Sequence, residues 1–573
     1  MTPNVLSRSL RKGGHGKGRM VLFSLVAIFA TLLSACGGDN TSNSGSKTTT
    51  LNVLASPNGN FKASNFNPFI DPSNGAMYGA QGMIYETLIY MNRYDGGVTD
   101  MLASDHKLAD DASSVTFTIR NGVKWNDGQA FSADDVIFTL NLLKQYPALD
   151  QQGLWTNIIK DVTNPDSNTI KVDFKSPNSI ALWNFSQLYI VPKHTWSSVS
   201  DPATYTNDKP VGTGPYTLKS FGPQAYTLQK NTSYWQSGLP KIDQLRYLAT
   251  SDNTAAQLKI SKGEIDWAGV GWDPKYDASF TQVDPQHYHH WFPGNNTVML
   301  YLNLTRAPFN DLKVRQAISL AINRDDIHAK AALYADPANP TAVLPSHKAF
   351  LSSDYQNAKF SPDAAQAESL LKEAGYTKGS DGIYQKNGKK ISFQMIVPSG
   401  WADWEATLAV ISDNLKAIGI DAKPNSLATP DVYTAALNKG DYDAAISWTD
   451  KGPSPYFTFV DLLRSDKTWG NGKVIAGGST NWEHWQDSAT DKLLNQYLAS
   501  ADPNAQKQAI QGIEKIMVDQ LPVIPLDYNV GWFEYTTKTA VGWPDQNNPY
   551  AYGSPFDAPD NENIVLHLSP ANS

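Results

Sequence analysis

The sequence predicts a mixed α/β fold with at least two lobes. The chain has 573 residues, beyond the roughly 250 to 300 at which one hydrophobic core stops growing. Hydrophobic residues make up 41% of the chain and charged residues 18%, which is the composition of a folded globular protein. Segments of two-residue periodicity alternate with segments of helical periodicity, so strands and helices are interleaved along the chain.

The N-terminal segment predicts export and anchoring. Met20–Ala35 carries no charge, follows a basic segment and is short for a membrane span of about 20 residues. It ends in Leu-Ser-Ala-Cys36, which resembles the lipobox of bacterial lipoproteins. The resemblance implies a signal peptide over 1–35, lipidation of Cys36, a flexible tether over 36–50, and an extracytoplasmic protein anchored to the membrane. An uncleaved anchor, or a secretory signal with a chance cysteine, is the alternative.

The first half of the chain shows strands and a helix with local start and stop signals. Val115–Ile119 alternates as a strand does and is followed by an Asn121-Gly122 turn. Ser132 begins a helix with a capping-box pattern. Ile170–Phe174 is a second alternating strand.

The second half shows further helices and a hairpin. We expect helices beginning at Asp311, at Ser361-Pro362 and at Asp502-Pro503, and another that ends before Gly419. Asn387-Gly388 stands between two apolar runs and predicts a β-hairpin. These elements place the chain in the mixed α/β class.

Charge and motifs exclude several functional classes. The net charge is −8 with no sustained basic run, which argues against nucleic-acid binding. The sequence has no serine nucleophile elbow, zinc-protease helix, Walker loop or Cys-x-x-Cys pair. His287, His289 and His290 stand near Asp284, but their spacing matches no familiar metal site. We therefore expect that the protein is not an enzyme and binds no cofactor. A secreted hydrolase is the alternative.

Aromatic residues are abundant: 16 Trp, 26 Tyr and 21 Phe. Large domains bury many tryptophans, so we expect most of them in cores. Those flanked by turn and polar residues are better candidates for a ligand pocket, which combines apolar faces with a few hydrogen-bonding groups. Such tryptophans crowd the C-terminal half, at Trp401, Trp404, Trp448, Trp469, Trp482, Trp485, Trp532 and Trp543.

Several segments, taken in order, resemble family 5 of the bacterial extracellular solute-binding proteins. These are receptors of ABC importers for oligopeptides, dipeptides, nickel chelates and some oligosaccharides. The order and spacing hold from about residue 51 to the end. The matching segments include Tyr85–Leu88, Phe117–Gly128, Ser132–Val136, Gly212–Tyr216, Asn231–Trp235, Gly263–Asp266, Pro308–Ile318, Glu373–Tyr376, Gly440–Asp443 and Leu521–Pro525.

The resemblance implies a fold of two α/β lobes joined at a hinge, with an extra domain inserted in the first lobe. Lobe one would comprise 51–91, 213–299 and 538–573, the insertion 92–212, and lobe two 300–537. A ligand would lie between the lobes and be enclosed by hinge closure. The protein would act as a monomer and deliver its ligand to the permease and ATPase subunits of an importer.

The ligand class depends on the loop after Trp448. Peptide-binding members of the family place an aspartate three residues after the matching tryptophan, where it pairs with the peptide ammonium; this chain has Lys451 there, although Asp450 can substitute if the loop shifts by one residue. The segments Gly542–Pro544 and Asn547–Tyr550 look like those of oligosaccharide-binding members. A short peptide ranks first, an oligosaccharide second and a metal chelate third. The candidate ligand-binding residues are Trp448, Asp450, Trp401, Trp404, Asn529 and Tyr528.

Overall fold

The computed structural model describes residues 48–54, 60–61, 63–70, 76–470 and 480–571. The expected signal segment 1–35, the lipidation site Cys36 and most of the tether 36–50 lie outside these residues. Within the described ranges, no helix has both the length and the apolar character needed to cross a membrane.

A seven-stranded sheet is built around a strand near the N-terminus. Thr50–Leu54 pairs in parallel with strands on both of its sides, and the remaining neighbours are antiparallel. Val53 and Leu54 point to opposite faces and enter different buried clusters, so both faces of the sheet are covered. The strand order is Tyr288–His290, Glu534–Thr536, Trp267–Ala268, Thr50–Leu54, Gln244–Leu248, Ala225–Lys230 and Tyr216–Gly222.

A five-stranded sheet forms a second centre. Its strand order is Asp421–Leu427, Ser392–Pro398, Ala444–Trp448, Gly294–Leu302 and Ile524–Val530. The first three strands are parallel, and Gly294–Leu302 runs antiparallel to both of its neighbours. The last strand, Ile524–Val530, therefore runs in the same direction as the first three. These four strands end at one edge of the sheet, the edge at which open α/β sheets bind ligands.

A four-stranded antiparallel sheet lies, in the sequence, between the first strand of the seven-stranded sheet, Thr50–Leu54, and the later strands of that sheet, which begin at Tyr216. It consists of Ala103–Leu108, Ser114–Ile119, Thr169–Phe174 and Ile159–Asp166, and its apolar face joins the same buried cluster as the seven-stranded sheet. The residue boundaries of the two lobes and of the insertion stay predictions. Strand pairing changes from the seven-stranded to the five-stranded sheet between His290 and Gly294, and back again between Val530 and Glu534.

Short strands complete the fold. The Asn387-Gly388 turn joins Tyr384–Lys386 to the two-residue strand Lys389–Lys390, and both turn residues have positive φ. The apolar run that follows, Ser392–Pro398, belongs to the five-stranded sheet instead of the hairpin. The other short strands are Ile89–Met91 with Val98–Asp100, Thr377–Lys378 with the hairpin, and Ala540–Val541 with Ser569–Pro570.

Most helices begin where the sequence predicts. Ser132 and Asp135 form the expected capping box, and Asp311 and Asp502 cap their helices. The helix expected from Ser361-Pro362 begins at Ala364, because the Asp363 carboxylate caps it. The helices are Met77–Ala80, Ala133–Gln145, Ala181–Phe185, Lys193–Trp196, Asn253–Ser261, Leu312–Ala321, Arg324–Lys330, Ala364–Glu373, Ala402–Ala417, Pro430–Lys439, Pro455–Leu463, Ser488–Leu498, Pro503–Gln520 and Asp560–His567, with 3₁₀ turns at Pro147–Leu149, Pro274–Ser279 and Pro345–Phe350 and a π turn at Leu154–Ile158.

Candidate ligand-binding site

Two tryptophans emerge at the same edge of the five-stranded sheet. Trp448 is the last residue of its strand, and Trp401 follows the neighbouring parallel strand Ser392–Pro398 after a turn at Gly400, whose φ is +86°. Trp401 then begins the helix Ala402–Ala417. Because parallel neighbours end at the same edge, the topology alone brings these two rings together.

The two rings form a cluster with Trp404. The Trp401 and Trp448 rings are stacked, with centroids 5.2 Å apart and planes 15° apart. Trp404 lies 4.9 Å from each of them at a steeper angle. The Trp404 side chain is anchored in the core at 6% exposure, whereas Trp448 is 39% exposed. The cluster therefore presents an open indole face on a buried support, as a ligand platform requires.

A cavity of about 710 Å³ opens beside this cluster, between the five-stranded and the seven-stranded sheets. A cavity of this size can hold a small organic ligand. The side chains around it combine tryptophan, carboxamide and carboxylate groups. They include Asn253, Gln257, Trp272 and Asp273 on one side, and Val298, Lys330, Tyr334, Trp401, Asp403, Trp404, Asp527, Asn529 and Trp532 on the other.

Strand register explains which side chains reach the cavity. Val298 stands opposite Trp448 on one neighbouring strand and opposite Asp527 on the other, so the three share one face of the sheet. Asn529 lies two residues after Asp527 and shares that face. Tyr528 points to the other face, where its hydroxyl donates to the Val343 carbonyl at 2.8 Å. Of the two candidates, the structure places Asn529 at the cavity and Tyr528 behind the sheet.

Asp527 is the most unusual polar group of the cavity. It is 5% exposed, and burial, reinforced by the Asp403 carboxylate and opposed by the Arg324 guanidinium, raises its pKa to about 7. No described residue donates a hydrogen bond to its side chain. Arg324 does not pair with it, because its guanidinium donates to the carbonyl groups of Pro525, Ser319 and Ile322.

Asp403 lies between the cluster tryptophans in sequence. It lines the cavity and its surface is exposed there, and the protein atoms around the carboxyl group partly desolvate it and raise its pKa. Neither Asp403 nor Asp527 was a candidate from the sequence. A signal existed for Asp527, because strand alternation places it on the same face as the candidate Asn529.

Asp450 lies away from the cavity lining. Its carboxylate accepts the backbone N–H of Lys451 at 2.8 Å and lies beside Asp461. Burial raises the pKa of Asp461 to about 7, opposed by Lys467 and reinforced by Asp450. The structure thus brings together Trp448, Trp401, Trp404 and Asn529, and it leaves Asp450 and Tyr528 outside this group. Their roles in binding stay predictions.

The histidine segment contacts carboxylates in two separate places. His287 lies 2.8 Å from Asp284, and His290 lies 3.3 Å from Asp277. Among the described residues, no group of three or more histidine, cysteine, aspartate and glutamate side chains is arranged to hold a metal ion. Asp277 also accepts hydrogen bonds from the Trp272 indole at 2.7 Å and the Tyr334 hydroxyl at 3.0 Å, which joins the two sides of the cavity.

Comparisons with known proteins agree on one family. The model of the bacterial extracellular solute-binding proteins, family 5, middle region, matches residues 97–471. The glutathione-binding protein GsiB of Salmonella typhi is 28% identical over 465 residues, which cover 77% of this chain and 82% of that protein.

Solved structures share the fold. A periplasmic oligopeptide-binding protein of Thermotoga maritima matches with a TM-score of 0.81 at 24% identity, over 91% of this chain and 99% of that one. Its mannohexaose-bound form matches with a TM-score of 0.73 over the same shares of the two chains. The predicted mixed α/β, two-lobe fold class is confirmed.

Proposed function

Because the chain belongs to the bacterial extracellular solute-binding proteins of family 5, we propose that it is the receptor of an ABC importer that captures a short oligopeptide between two lobes. The names of a glutathione-binding relative and an oligopeptide-binding structural neighbour support a peptide-type ligand. The partners would be the membrane permease and its ATPase.

The observation that carries this proposal is the cavity of about 710 Å³ between the two main sheets. Residues from the part of the chain around the seven-stranded sheet and residues from the part around the five-stranded sheet both line the cavity. A bound ligand would therefore contact both parts and favour the closed arrangement of the two. Hydrogen bonds such as that from Tyr334 to Asp277 would be made in the closed form and broken on opening. A receptor needs this geometry, because capture and release then depend on one hinge motion.

Anchoring belongs to the same proposal. Lipidation of Cys36, followed by the tether 36–50, would hold a monomeric receptor at the outer side of the cell membrane, close to its permease. The lobe boundaries predicted from the sequence are part of this proposal as well.

An oligosaccharide is the second candidate ligand. The stacked tryptophans 401 and 448 favour it, since a sugar ring packs its apolar face on an indole. The mannohexaose-bound neighbour shows that this fold can hold an oligosaccharide. Lys451 gives no preference for a sugar, because its ammonium is paired with Asp557 at 3.1 Å.

Ligand retention tests the proposal directly. The purified protein would be incubated with pooled tripeptides and neutral oligosaccharides, and the retained species would be identified by mass spectrometry. A receptor retains one class stoichiometrically, returns it unchanged and becomes more compact in small-angle scattering. Retention of neither class would contradict the proposed function, and steady formation of product would favour the hydrolase alternative.

A further inference from the structure

We propose that the ligand carries a cationic nitrogen group, an ammonium or a guanidinium, and that Asp527 and Asp403 hold this group inside the cavity. The inference rests on the proposed function and narrows its substrate class. The sequence suggested Asp450 as the residue that pairs with a ligand ammonium. The inference assigns that role instead to Asp527 on the strand Ile524–Val530 and Asp403 on the helix Ala402–Ala417.

The first support is the state of Asp527. Its side chain lines the cavity, is 5% exposed and receives no hydrogen bond from the part of the chain that the structure describes. Buried carboxylates are ordinarily paired or hydrogen-bonded, because an isolated one loses the solvation of its charge. An unpaired carboxylate at the wall of a ligand cavity is therefore a group whose partner arrives with the ligand.

The second support is the distribution of charge around the cavity. The ammonium of Lys330 lies 3.0 Å from Asp326 and is already paired. The Arg324 guanidinium is occupied by backbone carbonyls and packs 3.3 Å from the Phe360 ring centroid. Asp273 has its own partner in Lys275. Asp403 and Asp527 are left as neighbouring carboxyl groups that form no ion pair with a described residue, although the charge of Arg324 still acts on Asp527.

The third support is the wall beside the two carboxyl groups. Trp401 and Trp404 flank Asp403 in sequence, and Trp532 follows Asp527 on the same chain segment. Indole faces attract organic cations, and the attraction strengthens where water is excluded. A wall that combines carboxylates with indole rings suits an amine or guanidinium attached to an apolar or planar body.

A neutral ligand would use the same groups differently. With its raised pKa, Asp527 could keep its proton and donate a hydrogen bond to a sugar hydroxyl. Proton counting separates the two cases. A cation stabilises the ionised carboxylate, so its binding near pH 7 releases protons, whereas a hydroxyl ligand releases none.

The test uses the species retained by the full chain from the pooled tripeptides and neutral oligosaccharides. Calorimetry at pH 7 in two buffers of different ionisation enthalpy gives affinity and proton release for the wild type, Asp527→Asn and Asp403→Asn. Asp413→Asn is the control, because it removes the same charge from an exposed position on the helix that carries Asp403.

We expect a retained species with a cationic nitrogen, and proton release that Asp527→Asn abolishes. We expect Asp527→Asn to weaken binding by about 30-fold or more, with Asp413→Asn unchanged. Acetylation of the ligand nitrogen should weaken binding to the wild type much more than to Asp527→Asn. A retained species without a cationic group, or binding without proton release, would overturn the inference while leaving the receptor function intact. Retention of nothing would remove the proposed function itself.

Discussion

The ammonium of Lys451 lies 3.1 Å from a carboxylate oxygen of Asp557. Lys451 lies three residues after Trp448, which ends the strand Ala444–Trp448 of the five-stranded sheet. Asp557 lies just before the helix Asp560–His567, which packs into the core beside the seven-stranded sheet. Arg93 reaches the same carboxylate at 2.9 Å. One buried carboxylate thus ties the loop after the five-stranded sheet to Arg93 and to the C-terminal segment.

Removing that carboxylate should destabilise the fold strongly. Burial opposes ionisation of Asp557, yet Arg93 and Lys451 outweigh it and lower its pKa to about 2. Asp557→Asn leaves Arg93 buried with only the more distant Asp560, so we expect a loss of roughly 3 kcal/mol in the free energy of unfolding. Lys451→Met should cost under about 1 kcal/mol, because the Lys451 side chain is 38% exposed. Denaturant unfolding measures both, and equal losses would contradict this ranking.

The predicted membrane attachment through Cys36 rests on the sequence alone and can be tested by one substitution. Cys36→Ser should give a folded protein that carries no lipid label and appears in the soluble fraction, because the predicted anchor is a thioether-linked lipid. Fractionation with metabolic lipid labelling measures the change. A Cys36→Ser protein that stays in the membrane fraction would indicate an uncleaved hydrophobic anchor.

Local chemistry made most elements predictable, and long-range packing did not. Caps such as Ser132 and Asp502 act within one helical turn, so the sequence shows them directly. Cleft and core tryptophans share the same neighbours in sequence: Trp448 and Trp482 both stand beside polar residues, yet the first is 39% and the second 8% exposed. The sequence did not identify Asp527, because its proposed role depends on the absence of a hydrogen-bonding partner among the described residues packed around it, and only the structure shows that absence.

Asp527 should make the ligand-free protein less stable as the pH rises. Its carboxyl group keeps a proton up to about pH 7 in the folded state, whereas an unfolded aspartate loses it near pH 4. The folded state therefore binds more protons in this window, and stability falls between about pH 4 and pH 7. Asp527→Asn removes the buried charge, so we expect a gain of roughly 4 kcal/mol at pH 8 that vanishes near pH 4. Urea unfolding across this range measures the gain, and a pH-independent difference would contradict it.

Trp448 and Trp404 should separate ligand contact from core packing within one cluster. Trp448→Ala removes a half-exposed ring that stacks on Trp401 at 5.2 Å, so we expect about 30-fold weaker ligand binding with little change in melting temperature. Trp404→Ala empties a core position at 6% exposure and should cost roughly 3 to 5 kcal/mol of stability. Titration calorimetry and thermal unfolding of both variants measure the contrast. A large drop in melting temperature for Trp448→Ala, with binding per folded molecule unchanged, would assign the Trp448 ring to the core and leave the cavity to Trp401 and its carboxylate neighbours.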